Sequence, residues 1–255
     1  MYSYISHNLK NTLKDKFLLP LGQTDEGCLQ VADFFELDHI LIGGDKDKLE
    51  SYLKFIIQNL SSKYSSEELQ FIINTHDKSI FCEFENLPHL YRGKINSTMP
   101  EILSNAQNLY RIYRDRHDLL TASNMDFFKY NESCISEKLP LIVAITHDYS
   151  LLKTLEEHHL ICNLASKAFY AKNTGVFLII STSNYFATSS FSKEFFEAYF
   201  STRIAFFKKV TSQSSVLINS NADKLLLGNQ LIFQHIDNKS KQQTIQKLRI
   251  LNYEK

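Results

Sequence analysis

The hydrophobic residues of this chain occur in short continuous runs that are separated by polar turns. Five runs predict strands, at His39–Ile42, Gln70–Ile73, Leu141–Ile145, Val176–Ile180 and Arg203–Phe207. Continuous runs are typical of strands that are buried on both faces. Helical patterns lie between them, at Glu50–Ser61, Pro100–Leu120 and Leu151–Tyr170. This alternation predicts an α/β fold, with a mostly parallel sheet and helices on both faces.

The segment before the first of these strands has a different pattern. Two short apolar runs flank a Thr-Asp-Glu-Gly turn between Lys16 and Asp33, which predicts a small β-hairpin that precedes the main sheet. The chain has 255 residues, enough for one large domain with a full core. We therefore predict an N-terminal extension at residues 1–15, one domain at 16–238, and a polar C-terminal tail at 239–255.

The charge balance limits the partners that the chain can hold by its overall field. The 28 basic and 28 acidic residues cancel, so a nucleic acid could be bound only through a local group of basic residues. Three arginines with neighbouring tyrosines are the candidates, Arg111, Arg114 and Arg116. Solvated helix charge is the simpler interpretation of the same residues.

Hydropathy and cysteine spacing predict a cytoplasmic protein. No apolar run reaches the roughly 18 residues of a membrane-spanning helix, and the first residues lack the apolar region of a signal peptide. The four cysteines are far apart and form no Cys-x-x-Cys motif. Such cysteines are typical of reduced thiols.

Two segments end predicted strands with the same polar sequence, Thr-His-Asp-x-Ser. They place His76 and Asp77 after one strand, and His147 and Asp148 after another. Because the carboxyl ends of parallel strands line one crevice, these four side chains could converge on zinc or a similar ion. The alternative is that they are ordinary turn-forming residues.

A double glycine connects the first main strand to a helix in the stretch HILIGGDKDKLES. A phosphate-binding loop needs glycines that let several backbone N–H groups point inward, then a lysine and a hydroxyl residue. This stretch keeps two glycines and a hydroxyl but has other side chains elsewhere: the residues are Gly43, Gly44, Asp47, Leu49, Glu50 and Ser51. By itself it is a weak motif.

Several segments are similar to the sequence motifs of a known motor domain and occur in the same order along the chain. They are LLPLGQTDEGCLQVADFFELDHILIGG, EELQFIIN, ENLPHLY, YRDRHDLLTASNMDFFKYNE, LIVAITHDYSLL, LICNLASKAFYAKNTGVFLIISTS, STRIAF and NADKLLLGNQLIF. From about Leu18 to Phe233 the chain resembles the motor domain of the FtsK/SpoIIIE DNA translocases. The resemblance implies a RecA-like, P-loop-type fold, ATP and Mg²⁺ as cofactors, double-stranded DNA as a partner, and assembly into rings.

The departures from the family pattern lie at the positions that carry its chemistry. In the resemblance, the catalytic lysine position holds Glu50 and the glycine before it is Leu49. The Walker B acid pair falls on His147 and Asp148. A carboxylate about 4 Å from a phosphate oxygen is repelled by roughly 4 kcal/mol at an effective dielectric of about 20. Glu50 would therefore oppose binding of a triphosphate.

The sensor and arginine motifs are kept only in part. Thr182 and the Arg203 of TRIAF remain, whereas another family arginine falls on Ser214. These losses predict a catalytically degenerate domain, a pseudo-ATPase that acts as a binding or assembly module, with a homo-oligomer or a ring-type translocase as partner and at most weak duplex DNA binding. The alternatives are a divergent but active ATP-driven DNA translocase, and a small metal-dependent enzyme that uses the two Thr-His-Asp segments.

Overall fold

The computed structural model describes residues 2–4, 17–37, 39–133, 137–148, 171–183, 196–206, 216–217, 226, 228–237 and 240–250. The predicted helix Leu151–Tyr170 lies outside the described residues, as do Ser214 and the end of the predicted tail. The chain divides into two compact units, a first unit of Met1–Leu60 with Ser181–Lys255, and a second unit of Ser61–Ile180. The domain boundary at residues 16–238 stays a prediction.

The described residues form a mixed α/β fold. In chain order the strands are β1 (Tyr2–Tyr4), β2 (Leu18–Gln23), β3 (Leu29–Asp33), β4 (Ile40–Gly43), β5 (Leu69–Asn74), β6 (Leu141–Thr146), β7 (Val176–Thr182), β8 (Thr202–Phe206), β9 (Gln230–Ile236) and β10 (Gln243–Arg249). The α-helices are α1 (Lys46–Lys63), α2 (Met99–Ser123) and α3 (Phe127–Ser133). Short 3₁₀ helices occupy Lys78–Phe84, Tyr91–Gly93 and Ala171–Thr174. Among the described residues no helix is long and apolar enough to cross a membrane.

The sheet of the first unit combines parallel and antiparallel pairing, in the order β1-β3-β2-β10-β9-β8-β4. The predicted hairpin is β2–β3, which is antiparallel. β4 pairs with β8 in parallel, from Ile40↔Thr202 to Gly43↔Ala205. β9 then pairs antiparallel with β8. The parallel arrangement predicted for the runs at β4 and β8 is therefore confirmed.

The predicted polar tail contains a strand that the sequence pattern did not reveal. All seven residues of β10 pair antiparallel with β9, from Gln243↔Ile236 to Arg249↔Gln230. Ile245 and Leu248 are the only large apolar side chains in this strand, and Leu248 alone is buried. The polar sequence of these residues did not indicate a strand, because backbone pairing holds a strand that has little apolar surface.

The second unit contains three parallel strands in the order β5, β6 and β7. Six residue pairs join β5 to β6, from Leu69↔Leu141 to Asn74↔Thr146. Five more join β6 to β7. The apolar residues of these strands are buried, which agrees with their continuous hydrophobic sequence. The carboxyl end of β6 is thereby placed beside the carboxyl end of β5.

Helix α1 packs against the first unit through one apolar face. Its buried residues recur at helical spacing: Leu49, Tyr52, Leu53, Ile56, Ile57 and Leu60. The Tyr52 hydroxyl donates towards the carbonyl oxygens of Pro20 (3.2 Å) and Leu21 (3.1 Å) in β2. Complete burial raises the pKa of Tyr52. This polar anchor fixes α1 relative to the hairpin.

Candidate functional site

The connection between β4 and α1 is only two residues long. β4 ends at Gly43 and α1 begins at Lys46, which leaves Gly44 and Asp45 between them. A phosphate cradle needs a run of non-helical residues whose N–H groups point inward. Asp47, Leu49, Glu50 and Ser51 instead lie inside α1. The helix therefore begins within the motif, where no glycine follows Gly44.

Asp45 closes the amino end of α1. Its Oδ1 accepts a hydrogen bond from the Asp47 backbone N–H at 3.3 Å. Its backbone carbonyl accepts one from the Leu49 N–H at 3.0 Å. Free N–H groups at a helix start are what an anion binds, so the Asp45 carboxylate takes that position. Asp45 is not among the residues predicted for the site from the sequence, although an aspartate just before a helical pattern is a capping signal.

The two glycines are explained by close packing of neighbouring segments. A Cβ at Gly43 would lie 2.2 Å from Cγ1 of Val216. A Cβ at Gly44 would lie 2.7 Å from Cβ of Phe206, and Gly44 has a φ of +151°. The Gly44 N–H donates to the Thr182 carbonyl oxygen at 3.4 Å. Packing within the first unit therefore requires both glycines without any phosphate.

The remaining side chains of the motif belong to the helix and its core. Leu49 is fully buried. The Glu50 carboxylate is half-buried, and its Oε1 lies 3.7 Å from Nζ of Lys46. Partial burial raises the pKa of Glu50, and the charge of Lys46 opposes that shift. Lys46, a cation that could have replaced the missing lysine, is thus paired with Glu50. Ser51 is half-buried on the same helix.

Arg203 is an internal structural cation. Its side chain is 1% exposed. The guanidinium donates to three backbone carbonyl oxygens, from Nε to Phe200 (3.0 Å), from Nη2 to Phe196 (2.6 Å) and from Nη1 to Val216 (2.5 Å). The arginine therefore holds the same Val216 that packs against Gly43. Thr182, the other retained motif residue, is buried.

At the carboxyl end of β6, the two Walker B positions are also buried, at 2% exposure for His147 and 4% for Asp148. The His147 backbone N–H donates to the Asn74 carbonyl oxygen at 2.8 Å. Its ring meets Phe81 edge to face, with centroids 5.7 Å apart. Asp148 has a φ of +54°, a conformation that aspartate tolerates better than most residues. The imidazole thus packs as part of the second unit's interior.

The structure does not assemble the predicted metal site. His76 and Asp77 are exposed. The Asp77 Oδ1 accepts hydrogen bonds from the Ser79 N–H (2.9 Å) and hydroxyl (2.7 Å), which caps the 3₁₀ helix Lys78–Phe84. In the described part of the chain, which includes all four candidates, no three His, Cys, Asp or Glu side chains are grouped to hold a metal ion.

The three arginines of α2 do not form one basic surface. Arg111 and Arg114 are exposed, and Arg114 lies 3.3 Å from the carboxylate of Asp115. Arg116 is buried, and its Nη1 donates to the Thr174 carbonyl oxygen at 3.0 Å. Burial lowers the pKa of Arg116 to about 10. The prediction that all three could touch phosphates is wrong for Arg116, because its spacing on the helix turns it inward.

Comparisons with known proteins give relatives by sequence at low identity. No family model matches the chain. The DNA translocase FtsK of Lactococcus lactis subsp. cremoris is 22% identical over 234 residues, which cover 86% of this chain and 30% of that protein. FtsK of Lactococcus lactis subsp. lactis gives the same figures. The chain thus spans about 30% of the length of these curated relatives.

Solved structures share the fold across almost the whole chain. The cytoplasmic domain of the type VII secretion ATPase EccC from Thermomonospora curvata superposes with a TM-score of 0.74 at 15% identity, covering 95% of this chain and 29% of that one. The pCW3 conjugation coupling protein TcpA, solved with ATPγS, gives a TM-score of 0.70 at 14% identity and covers 97% of this chain and 70% of that one.

The fold class is therefore that of P-loop ATPase domains. The chain is thus similar in sequence to two FtsK DNA translocases, and the order of its motifs resembles that of the FtsK/SpoIIIE family.

Proposed function

We propose that this FtsK/SpoIIIE-like domain has lost ATP turnover and acts as a binding or assembly module. The observation that carries the proposal is the start of α1 at Lys46, with only two residues between it and the last residue of β4. Residues that would form a phosphate loop are helical, so their N–H groups are directed along the helix and cannot surround a phosphate.

Charge at the same junction supports the proposal. The Asp45 carboxylate caps the helix start, and Glu50 stands one turn further along, in the lysine's place. A single carboxylate about 4 Å from a phosphate oxygen costs roughly 4 kcal/mol at an effective dielectric of about 20. That corresponds to about three powers of ten in affinity. Loss of the lysine's attraction adds to this penalty.

The residues at the end of β6 do not fit Mg²⁺ in the usual way either. Mg²⁺ is held through carboxylate oxygens and water, whereas the first Walker B position holds His147, whose ring packs on Phe81. Neither region therefore fits Mg·ATP by its own geometry, and we derive no hydrolytic step for this chain.

An assembly role is supported by what the chain keeps. The fold and the order of motifs are retained although the catalytic positions differ, which is expected when a domain serves as a binding surface. The partners that the family resemblance favours are further copies of this chain or a ring-type translocase, with duplex DNA bound weakly and in a salt-sensitive way because the formal net charge is zero.

The test is nucleotide binding and turnover by the whole chain. Mg·ATP is titrated calorimetrically up to about millimolar concentration, and phosphate release is followed with and without double-stranded DNA. We expect no saturable binding and no release above buffer. Turnover of about one per second or more, abolished by Asp148→Ala but kept by the surface control Asp118→Ala, would instead overturn the proposal and favour the active ATPase.

A second measurement separates assembly from catalysis. Sedimentation velocity over a range of protein concentrations reports self-association, and repeating it with ATP and Mg²⁺ shows whether nucleotide matters. The proposal expects any assembly to be unchanged by nucleotide. Assembly that appears only with ATP and Mg²⁺ would contradict the loss of the nucleotide site.

A further inference from the structure

The outer edge of β5 is covered by an irregular segment. β5 pairs with β6 over its full length. On its other side, the described residues form two isolated parallel bridges with it, Phe71↔Leu90 and Asn74↔Asn96. We call residues 88–96 the β5 strap. It includes Pro88, His89 and Leu90, the last three residues of the Leu-Pro-His-Leu motif.

Three backbone hydrogen bonds join the β5 strap to the strand. The Phe71 N–H donates to the His89 carbonyl at 2.8 Å, the Asn96 N–H to the Ile73 carbonyl at 2.9 Å, and the Thr75 N–H to the Asn96 carbonyl at 2.9 Å. The strap is thus attached near its two ends, and the residues between His89 and Asn96 contribute none of these bonds.

Several buried polar atoms lie where the β5 strap contacts β5. Nδ1 of His89, Oδ1 of Asn96 and Oδ1 of Asn74 are buried and have no hydrogen-bond partner among the residues that the structure describes. Nε2 of His89 lies 2.7 Å from the Tyr64 carbonyl oxygen and donates to it, so Nδ1 of the neutral ring is an acceptor. Buried acceptors that make no hydrogen bond destabilise the closed arrangement, since they lose water and gain nothing in exchange.

The backbone of the strap adds to this cost. Arg92 has φ 57° and ψ 22°, in the left-handed region, and Gly93 follows with a φ of +64°. A left-handed conformation costs free energy at a residue with a long side chain. Arg92 is exposed, so the surrounding core does not impose this conformation by enclosing its side chain.

Two apolar side chains of the β5 strap stabilise its contact with β5. Leu90 and Ile95 are 5% and 3% exposed, and their burial holds the strap closed. We propose that the β5 strap opens from β5 by local unfolding while the β5–β6 ladder stays intact. Opening hydrates the three acceptors and frees the N–H groups of Phe71 and Thr75 and the Ile73 carbonyl, the groups through which an edge strand pairs.

Native-state hydrogen exchange of the whole chain, resolved by residue with NMR, tests this. The amides of Phe71, Thr75 and Asn96 report on the strap. The amides of Leu141 and His147, which donate to the Glu68 and Asn74 carbonyls, report on the β5–β6 side. We expect the three strap amides to exchange together and at least about tenfold faster than the two others. Equal protection of both groups would overturn the proposal.

Two substitutions sharpen the result. Leu90→Ala removes an anchor and should speed the strap amides by about 30-fold or more, with a smaller change at Leu141 and His147. Arg92→Asn better tolerates the left-handed backbone and should slow the strap amides about twofold to fivefold. The matched control Lys241→Asn alters another left-handed residue, in a turn of the first unit, and should leave the strap amides unchanged. An Arg92→Asn variant with unchanged strap exchange would contradict the proposal even if Leu90→Ala does not fold.

Discussion

The β4–α1 junction and the carboxyl end of β6 are the two regions where the translocase resemblance places its nucleotide chemistry, and they depart from it in different ways. At the junction the backbone path itself differs, since α1 begins at Lys46 and is capped by Asp45. At β6 the strand Leu141–Thr146 is complete and buried, and the departures are the side chains of His147 and Asp148.

Under the proposed loss of turnover, this difference separates two kinds of departure from the family pattern, one in the backbone path and one in the side chains. A changed side chain at the end of an intact strand can be reversed by substitution. A backbone path that runs as a turn of helix is harder to reverse by substitution, because the helix is held by its cap, by the buried Leu49 and by the close packing of Gly43 and Gly44. The junction should therefore be the more resistant of the two regions to restoration.

The largest effect on stability is expected from Arg203, the buried arginine that donates to the Val216 carbonyl oxygen. Arg203→Met should lower the free energy of unfolding by about 4 kcal/mol, because it leaves three interior carbonyl oxygens without their donor. The control Arg249→Met removes an exposed pair with Asp25 and should change stability by about 1 kcal/mol or less. Urea unfolding measures both. Similar losses for the two variants would show that Arg203 is not a structural residue.

A somewhat smaller loss of stability is expected from substitution of Gly44. Gly44→Ala combines a positive φ with overlap on Phe206 and should cost about 3 kcal/mol. Gly27 also has a positive φ, but a Cβ added there meets nothing within 4 Å. Gly27→Ala therefore measures the cost of the backbone conformation alone, which we expect to be about 1 kcal/mol. If denaturant unfolding finds equal costs, Gly44 is needed only for its conformation and the packing argument fails.

The start of α2 offers a comparison for the acidic cap of α1. The Glu101 carboxylate accepts hydrogen bonds from the Ser97 and Thr98 N–H groups at 3.1 Å, and these lower the pKa of Glu101 to about 2. Because the folded pKa lies below the ordinary value, this stabilisation is present above about pH 4.5 and is lost as the pH falls towards 2. Glu101→Gln should flatten that part of the stability profile. The same profile for Glu67→Gln, which removes an exposed carboxylate, should follow the unmodified chain.

The smallest effect is expected from repairing charge alone. Glu50→Lys removes a repulsion but leaves α1 starting at Lys46, so we expect no ATP turnover in a phosphate-release assay. His147→Asp alone should also be inactive. The combination of Asp47→Gly, Leu49→Gly, Glu50→Lys, His147→Asp and Asp148→Glu should regain nucleotide affinity before activity. Turnover by Glu50→Lys alone would mean that the junction opens readily and that the two regions do not differ as described.

Much of the fold was determined by local sequence. The continuous runs at β4, β5, β6, β7 and β8 predicted buried strands because an apolar run of that length suits burial on both faces. The face of α1 followed from the spacing of Leu53, Ile56 and Ile57. The identities of Glu50 and His147, at positions that the family resemblance assigns to catalysis, could also be read directly, since residue identity at a motif position needs no tertiary information.

Only the tertiary structure decided what the retained residues do. Gly43 packs on Val216, and Arg203 binds the Val216 carbonyl, contacts between residues far apart in sequence that no local period encodes. Arg116 is indistinguishable from Arg114 in the sequence, yet only Arg116 turns inward to Thr174. β10 was missed because its pairing with β9 rests on backbone hydrogen bonds and a single buried side chain. Local patterns record which surfaces must be buried, whereas the partner that buries each surface depends on how the whole chain folds.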